Sequence, residues 1–329
     1  MLSPSRQVYQ WGALAIGFTL ARLEQRSKNS MQGQSKGTVG IAGLGIMGGT
    51  FARHLIEAGW QVIGYDVDAA TRSRARDAGV VLAADNVDLA RRAEIILVVV
   101  PKPEALDAVV SDIIAAEPGP RLVVELGTFS LDTKLTAAGR LEAAGHAMLD
   151  CPVSGTGAQA RNKDLIVFIS GDVAAGERIR PILADFGREA HHVGVLGNGT
   201  RMKLVTNHLV ACHVAAAGEA MALGIKSGLD PAQILQMALS GAAGSRMLEL
   251  RGPMMVANRY DGPTISARAT ILAKDVRTIG ALADDLDCPT PVLNAVKTLF
   301  AAALATGHAD HDPASVCAVS EAIAGVKRK

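Results

Sequence analysis

The sequence predicts an α/β half built on a parallel sheet, followed by an all-α half, with one long helix joining the two. Three observations carry this. Short aliphatic runs alternate with helix-length stretches as far as His192, the pattern of βαβ units whose strands are covered on both faces. A glycine-rich turn follows the first of these runs and opens a helix. From Thr200 onward no convincing strand is found, and apolar residues recur at helical spacing.

The first run, Thr38-Val39-Gly40-Ile41-Ala42, reads as a buried strand leading into Gly43-Leu44-Gly45-Ile46-Met47-Gly48 and a helix over 47–58. In a G-x-G-x-x-G placed between strand and helix, the first glycine makes the tight turn. The second lets backbone approach a pyrophosphate, and the third lets helix pack on strand. The helix N-terminus adds free N–H groups and the positive end of its dipole. A second strand, 61–65, ends at Asp66, about twenty residues past the glycines, where such a fold places its ribose-binding carboxylate. A carboxylate there accepts from a 2′-hydroxyl and repels a 2′-phosphate, which favours NAD over NADP. Arg72, Arg74 and Arg76 follow closely; they read as a solvated helix face, with NADP left possible.

Further strands are predicted at 95–100, 121–125, 147–150, 165–170 and 191–193. Pro101 stops the first of these. Leu126-Gly127-Thr128 lies at the carboxyl end of the second, the ligand edge of an open α/β sheet. The all-α half is predicted as a helix from Thr200 to about Ser227, another capped by Asp230-Pro231, and helices over 266–286, 291–306 and 313–325. On the long helix, Lys203 and Asn207 fall on one face, one turn apart. A cation and an amide there suit an anionic, oxygen-bearing small molecule, bound in the cleft between the halves.

The 329 residues suffice for two cores, and three segments are expected: an N-terminal extension at 1–36, poorly ordered; a dinucleotide-binding domain at 37–196; and a helical domain at 197–329. The run 11–21 is too short to span a bilayer and lacks a small-x-small cleavage site. Met31, just before the first strand, suggests an upstream start, with a membrane-surface helix as the alternative. A net charge of +1 and aromatics at 3% argue against nucleic acid as the main partner. No membrane partner is expected. The four cysteines are scattered without C-x-x-C spacing, and His208 and His213 lack i,i+4 spacing. No metal or disulfide framework is expected, and a reducing cytoplasm fits.

Four segments, in order, resemble the β-hydroxyacid dehydrogenase family, whose members include 3-hydroxyisobutyrate dehydrogenases. They are the glycine loop with Asp66, Asp150-Cys151-Pro152-Val153-Ser154-Gly155, the stretch Gly197 to Asn207, and Ala273-Lys274-Asp275-Val276. The resemblance covers nearly all of residues 38–324 and implies an α/β Rossmann-type N-terminal domain followed by an all-α C-terminal domain. It implies an NAD(P)-dependent oxidoreductase in which Lys203 is the general acid/base. Ser154, Gly155, Thr156 and Asn207 would hold substrate. Gly43, Leu44, Gly45, Ile46, Met47, Gly48, Asp66, Pro101, Thr128 and Lys274 would meet the cofactor. For its work Lys203 should titrate near about 7–8 through burial and neighbouring positive charge. A homodimer or homotetramer is implied through the helical half. An imine or ketone reductase on the same scaffold, or a non-catalytic dinucleotide-binding protein, are the alternatives; relatives of both kinds usually lack the lysine.

The chain departs from the family pattern at Thr156 and Lys163, where glycines are usual, at Glu125 and Gly127, where Asp and Ser are common, and at Thr206. Residues 265–272 lack the aromatics common there. All are expected to lie where substrate shape is read. Arg201, Arg246 and Arg268 are possible second contacts for a polar acid.

Overall fold

The computed structural model describes residues 35–328 except 263, 264 and 266; the readings of residues 1–34 lie outside them. Strands β1 (Thr38–Ala42), β2 (Gln61–Tyr65), β3 (Val81–Leu82), β4 (Ile95–Val98), β5 (Leu122–Glu125) and β6 (Ala147–Asp150) form a 6-stranded sheet in the order β3-β2-β1-β4-β5-β6. Every pair in it is parallel. Helices α1 (Ile46–Glu57), α2 (Ala69–Asp77), α3 (Asn86–Arg92), α4 (Pro103–Ala115) and α5 (Leu131–Ala143) make the crossovers. Successive strand residues feed opposite cores: Leu97 packs with Val39, Ile41 and Phe51 on one face, while Ile96 and Val98 pack with Leu106 and Val110 on the other. This is why these strands read as unbroken aliphatic runs.

A short α6 (Gly157–Arg161) and α7 (Val173–Ala184) accompany a smaller sheet, β7 (Val153–Ser154), β8 (Ile166–Ile169) and β9 (Glu189–His192). The pair β7–β8 is antiparallel and β8–β9 parallel. An antiparallel bridge between Asp150 and Ser170 splices this sheet to the end of β6.

The second half is helical: α8 (Asn198–Lys226), α9 (Pro231–Ser240), α10 (Arg246–Ala257), α11 (Ala269–Asp285), α12 (Pro291–Ala305) and α13 (Val316–Ile323), the last preceded by a 3-10 turn at Pro313–Ser315. At 29 residues α8 is about 43 Å long, and the other five helices pack on it. Among the described residues it is the one helix long and apolar enough to cross a membrane. Here its inner face, including Leu204, Ala211, Val214 and Met221, forms the core of the helical half.

The differences from expectation have local causes. Helix α10 was not expected because Gly252-Pro253 interrupts its pattern. The structure accommodates Pro253 inside the helix, and Leu235 of α9 packs where a Cβ on Gly252 would stand. Strand β3 is a two-residue edge strand, too short to carry a pattern. Helix α11 begins later than expected, where Ala269 and Thr270 N–H groups donate to the carbonyls of His311 and Ala309.

Candidate active site

The strand order reverses between β1 and β4, so the crevice at their carboxyl ends is the switch point of the sheet. Gly43 turns there at φ 93°, and a Cβ on it would lie 2.3 Å from the Val99 carbonyl oxygen. A Cβ on Gly48 would lie 1.9 Å from the Gly43 carbonyl oxygen. Only hydrogen fits at either position. Gly45 is the reverse case: a Cβ there would meet nothing within 4 Å, so the space over the turn is open to a ligand. Among the described residues no side chain caps the first turn of α1, and Ile46 is largely exposed. Uncapped N–H groups at the start of a helix, facing an open cradle, fit the pyrophosphate of a dinucleotide.

Asp66 stands at the end of β2, and its carboxylate clasps the turn: Leu44 N donates to Oδ2 at 2.8 Å and Asp68 N to Oδ1 at 2.9 Å. Each oxygen retains a second lone pair for a ribose hydroxyl. Arg72 lies beside it but donates to the carbonyls of Asp66 (2.7 Å) and Val67 (3.0 Å), against the Tyr65 ring. Pro101 is exposed in the loop leaving β4.

Lys203 is 7% exposed on the inner face of α8. Among the described residues no protein acceptor hydrogen-bonds to its Nζ. Burial is the main reason its pKa falls to about 8; Asp275 opposes that fall and the charge of Lys274 adds to it. Asn207, one turn along and equally buried, donates to Asp275 Oδ2 at 2.8 Å. Asp275 Oδ1 is buried with no hydrogen bond among the described residues, 3.3 Å from Lys274 Nζ. Lys274 in turn spans the two halves, donating to the Thr128 carbonyl at 2.8 Å and lying over the Phe129 ring. The structure thus gathers Thr128, Lys203, Asn207, Lys274 and Asp275 at one junction.

Ser154 ends β7 half-buried, with no protein partner for its hydroxyl among the described residues. Gly155 follows at φ 136°, where a Cβ would lie 2.4 Å from Leu165 Cδ2. Thr156 caps α6, and its hydroxyl and N–H both turn inward to Gln159 Oε1. The departures from the family pattern do not all read substrate shape. Lys163 sits exposed at φ 55°, a conformation that favours glycine. The Thr206 hydroxyl donates to the Lys203 carbonyl. Glu125 is wholly buried beneath the site rather than lining it. Arg201, Arg246 and Arg268 are exposed and already engaged, by Asn198, by Glu249 with Asp164, and by Asp310.

A buried polar cluster went unread in the sequence. Glu125 and Asp150 are paired in register on β5 and β6, and Lys134 of α5 lies between them; all three are 0% exposed. Lys134 Nζ ion-pairs with Glu125 Oε2 and donates to Asp150 Oδ1 (2.7 Å) and the Gly127 carbonyl (2.9 Å). Asp150 also accepts from Thr200 N (2.7 Å) and Thr200 Oγ1 (2.9 Å), while Ser170 Oγ accepts from Gly199 N (2.9 Å). The signal was two acidic residues ending adjacent aliphatic strands, which demand a buried counter-charge.

Comparison with known proteins agrees with this architecture. Residues 38–195 match the model for the NAD binding domain of 6-phosphogluconate dehydrogenase. Residues 197–320 match that for the NAD-binding segment of NADP-dependent 3-hydroxyisobutyrate dehydrogenase. The chain is 30% identical to L-threonate dehydrogenase of Cupriavidus necator over 283 residues, 84% of this chain and 94% of that one. The crystal structure of 3-hydroxyisobutyrate dehydrogenase from Salmonella typhimurium superposes with TM-score 0.77 at 27% identity, covering 86% and 99% of the two chains. An imine reductase from Myxococcus stipitatus is more distant, at TM-score 0.58 and 18% identity over 86% and 98%, and shares the fold. With the switch-point cradle, the buried lysine and these matches together, the chain belongs to the β-hydroxyacid dehydrogenase family of NAD(P)-dependent oxidoreductases.

Proposed function

We propose that this enzyme interconverts a small β-hydroxyacid and its semialdehyde or keto form, with NAD preferred over NADP and Lys203 as general acid/base. The observation that carries it is a buried amine with no hydrogen-bond acceptor among the described residues, at the junction bridged by Lys274 and Thr128. The bound nicotinamide supplies the hydride acceptor or donor. Lys203, neutral, takes the hydroxyl proton during oxidation; as ammonium it protonates the carbonyl oxygen during reduction. Asn207 and the Ser154-Gly155 turn hold the substrate carboxylate, so that the carbon bearing hydrogen faces the ring. Thr156, already bonded to Gln159, contributes through backbone placement. The glycine turn 43–48 seats the pyrophosphate, Asp66 the adenosine ribose, and Pro101, Thr128 and Lys274 flank the nicotinamide half. The lysine speaks for alcohol chemistry over imine reduction or binding without turnover.

Residues 37–196 act in this reading as the dinucleotide domain and 197–329 as the helical domain, in the cytoplasm. The helical domain also pairs copies of the chain. Met202, Val205, Leu209 and Leu223 stand exposed at 39%, 59%, 55% and 70%. They line one stripe of α8 at spacings of three, four and fourteen, which a second copy would cover.

The test is to follow nicotinamide reduction with a panel of C3–C5 hydroxyacids, threonate and 3-hydroxyisobutyrate among them, NAD and NADP in parallel. Turnover with at least one, faster with NAD, is expected. Tight NAD binding with no turnover across the panel would overturn it.

A further inference from the structure

We infer that Lys134 is a positioning residue for the reaction: one buried ammonium fixes the loop 126–128, on the nicotinamide side, and the first turn of α8 in a single relation. The inference rests on the reading of Lys203 as the acid/base. Helix α8 starts without a cap of its own, because its N-cap is Gly197. Its first-turn N–H groups are satisfied from other elements: Asn198 N by the Val195 carbonyl, Gly199 N by Ser170 Oγ and Thr200 N by Asp150 Oδ2. Asp150 is therefore the cap, supplied from β6, and a carboxylate suits the positive end of the helix dipole. Thr200 and Lys203 are three apart, hence neighbours on the helix surface.

Lys134 holds that cap in place. Its ammonium donates to Asp150 Oδ1 and the Gly127 carbonyl and ion-pairs with Glu125 Oε2. The Gly127 N–H closes the loop by donating to Glu125 Oε1 at 2.7 Å. The next residue, Thr128, offers the carbonyl that receives Lys274. The ammonium thus touches the loop on one side and the helix cap on the other. The two carboxylates hold its pKa above the ordinary lysine value despite burial, while burial raises that of Glu125. Apolar side chains that replace Lys134 and a carboxylate partner together can be as stable. They would not bridge the loop and the helix cap from one point.

The decisive variant is the double Glu125→Leu/Lys134→Met, which removes one charge of each sign and leaves Asp150 in place. Thermal melting, NADH affinity, kcat and amide exchange over 198–204 are measured for it, for Lys203→Ala and for the parent. The double variant should melt below the parent, because Asp150 stays buried without its ammonium partner, but bind NADH within about threefold, because the glycine turn and Asp66 are untouched. Its kcat should fall about tenfold to a hundredfold, the scale of an ångström of misplacement, with faster exchange at Gly199 and Thr200. Parent-like kcat and exchange would overturn the inference and leave Lys134 as charge balance alone. Should the double variant not fold, Thr200→Val decides: it deletes only the hydroxyl bond to Asp150, and parent-like kcat and exchange there again overturn the inference. Turnover persisting in Lys203→Ala would sink the acid/base role instead, while amide exchange still reports on the junction by itself.

Discussion

Replacing Lys203 by Met should make the protein more stable and nearly inactive at the same time. The amine is 7% exposed and titrates near 8 instead of 10.5. Below about pH 8 it is charged in both the folded and unfolded chain, and the folded state carries the full cost of burying that charge. A tenfold weaker hold on the proton corresponds to about 1.4 kcal/mol, so the cost at pH 7 is on the order of 3 kcal/mol. Between pH 8 and 10.5 the native chain sheds the proton first, the unfolded chain still holds it, and wild-type stability rises. Met has similar length and no charge. Urea unfolding at pH 7 should therefore show Lys203→Met more stable than the parent by up to about 3 kcal/mol. Its advantage should vanish near pH 10.5, where the unfolded lysine also becomes neutral. Turnover should drop at least about a hundredfold, the ordinary scale for a lost general acid/base. A variant no more stable than the parent at pH 7, with the same slope of stability on pH, would refute the claim that this amine is held desolvated.

Asp66→Ala removes the acceptor for a ribose hydroxyl and the clasp on Leu44 N. The Kd for NAD should rise about tenfold or more, the loss of one or two charge-assisted hydrogen bonds, while NADP weakens less; unchanged preference between the two would remove the assignment. Leu209→Glu places a charge in the middle of the exposed stripe on α8, where like charges from two copies would meet. Light scattering should show the assembly falling to monomers, and an unchanged mass would place the interface elsewhere. Gly48→Ala pushes a methyl group into the Gly43 carbonyl, so NADH binding measured by fluorescence should be lost well before the fold; retained affinity would show that the turn can shift.

The parallel sheet was legible because strands buried on both faces carry no polar interruption, and Ile95 to Val98 is such a run. The nucleotide turn was legible because Gly43 and Gly48 have no room for any other residue. Lys203 and Asn207 were readable from helical spacing plus the family motif, yet the two differ in how they are satisfied: Asn207 binds Asp275, and Lys203 is left without an acceptor among the described residues. Spacing alone gives a common face, not which group is satisfied. Lys134 was hidden because the helix that carries it, Leu131-Asp132-Thr133-Lys134, is polar and reads as solvated. Only the register of β5 against β6, a long-range fact, sets two carboxylates beside it. Helix α10 was lost to a Gly-Pro pair whose tolerance depends on Leu235 of another helix.

The central claim, that a desolvated lysine moves the proton, is tested most directly by the pH dependence of kcat/KM in both directions. A pKa of about 8 in place of 10.5 leaves roughly 300-fold more neutral amine at pH 7. Oxidation of the hydroxyacid should rise with pH and level off above a midpoint near 8, and reduction should fall through the same midpoint. Lys203→Met should abolish both limbs. Profiles flat from about pH 6 to 10 in the parent, or limbs that persist without the lysine, would contradict the account.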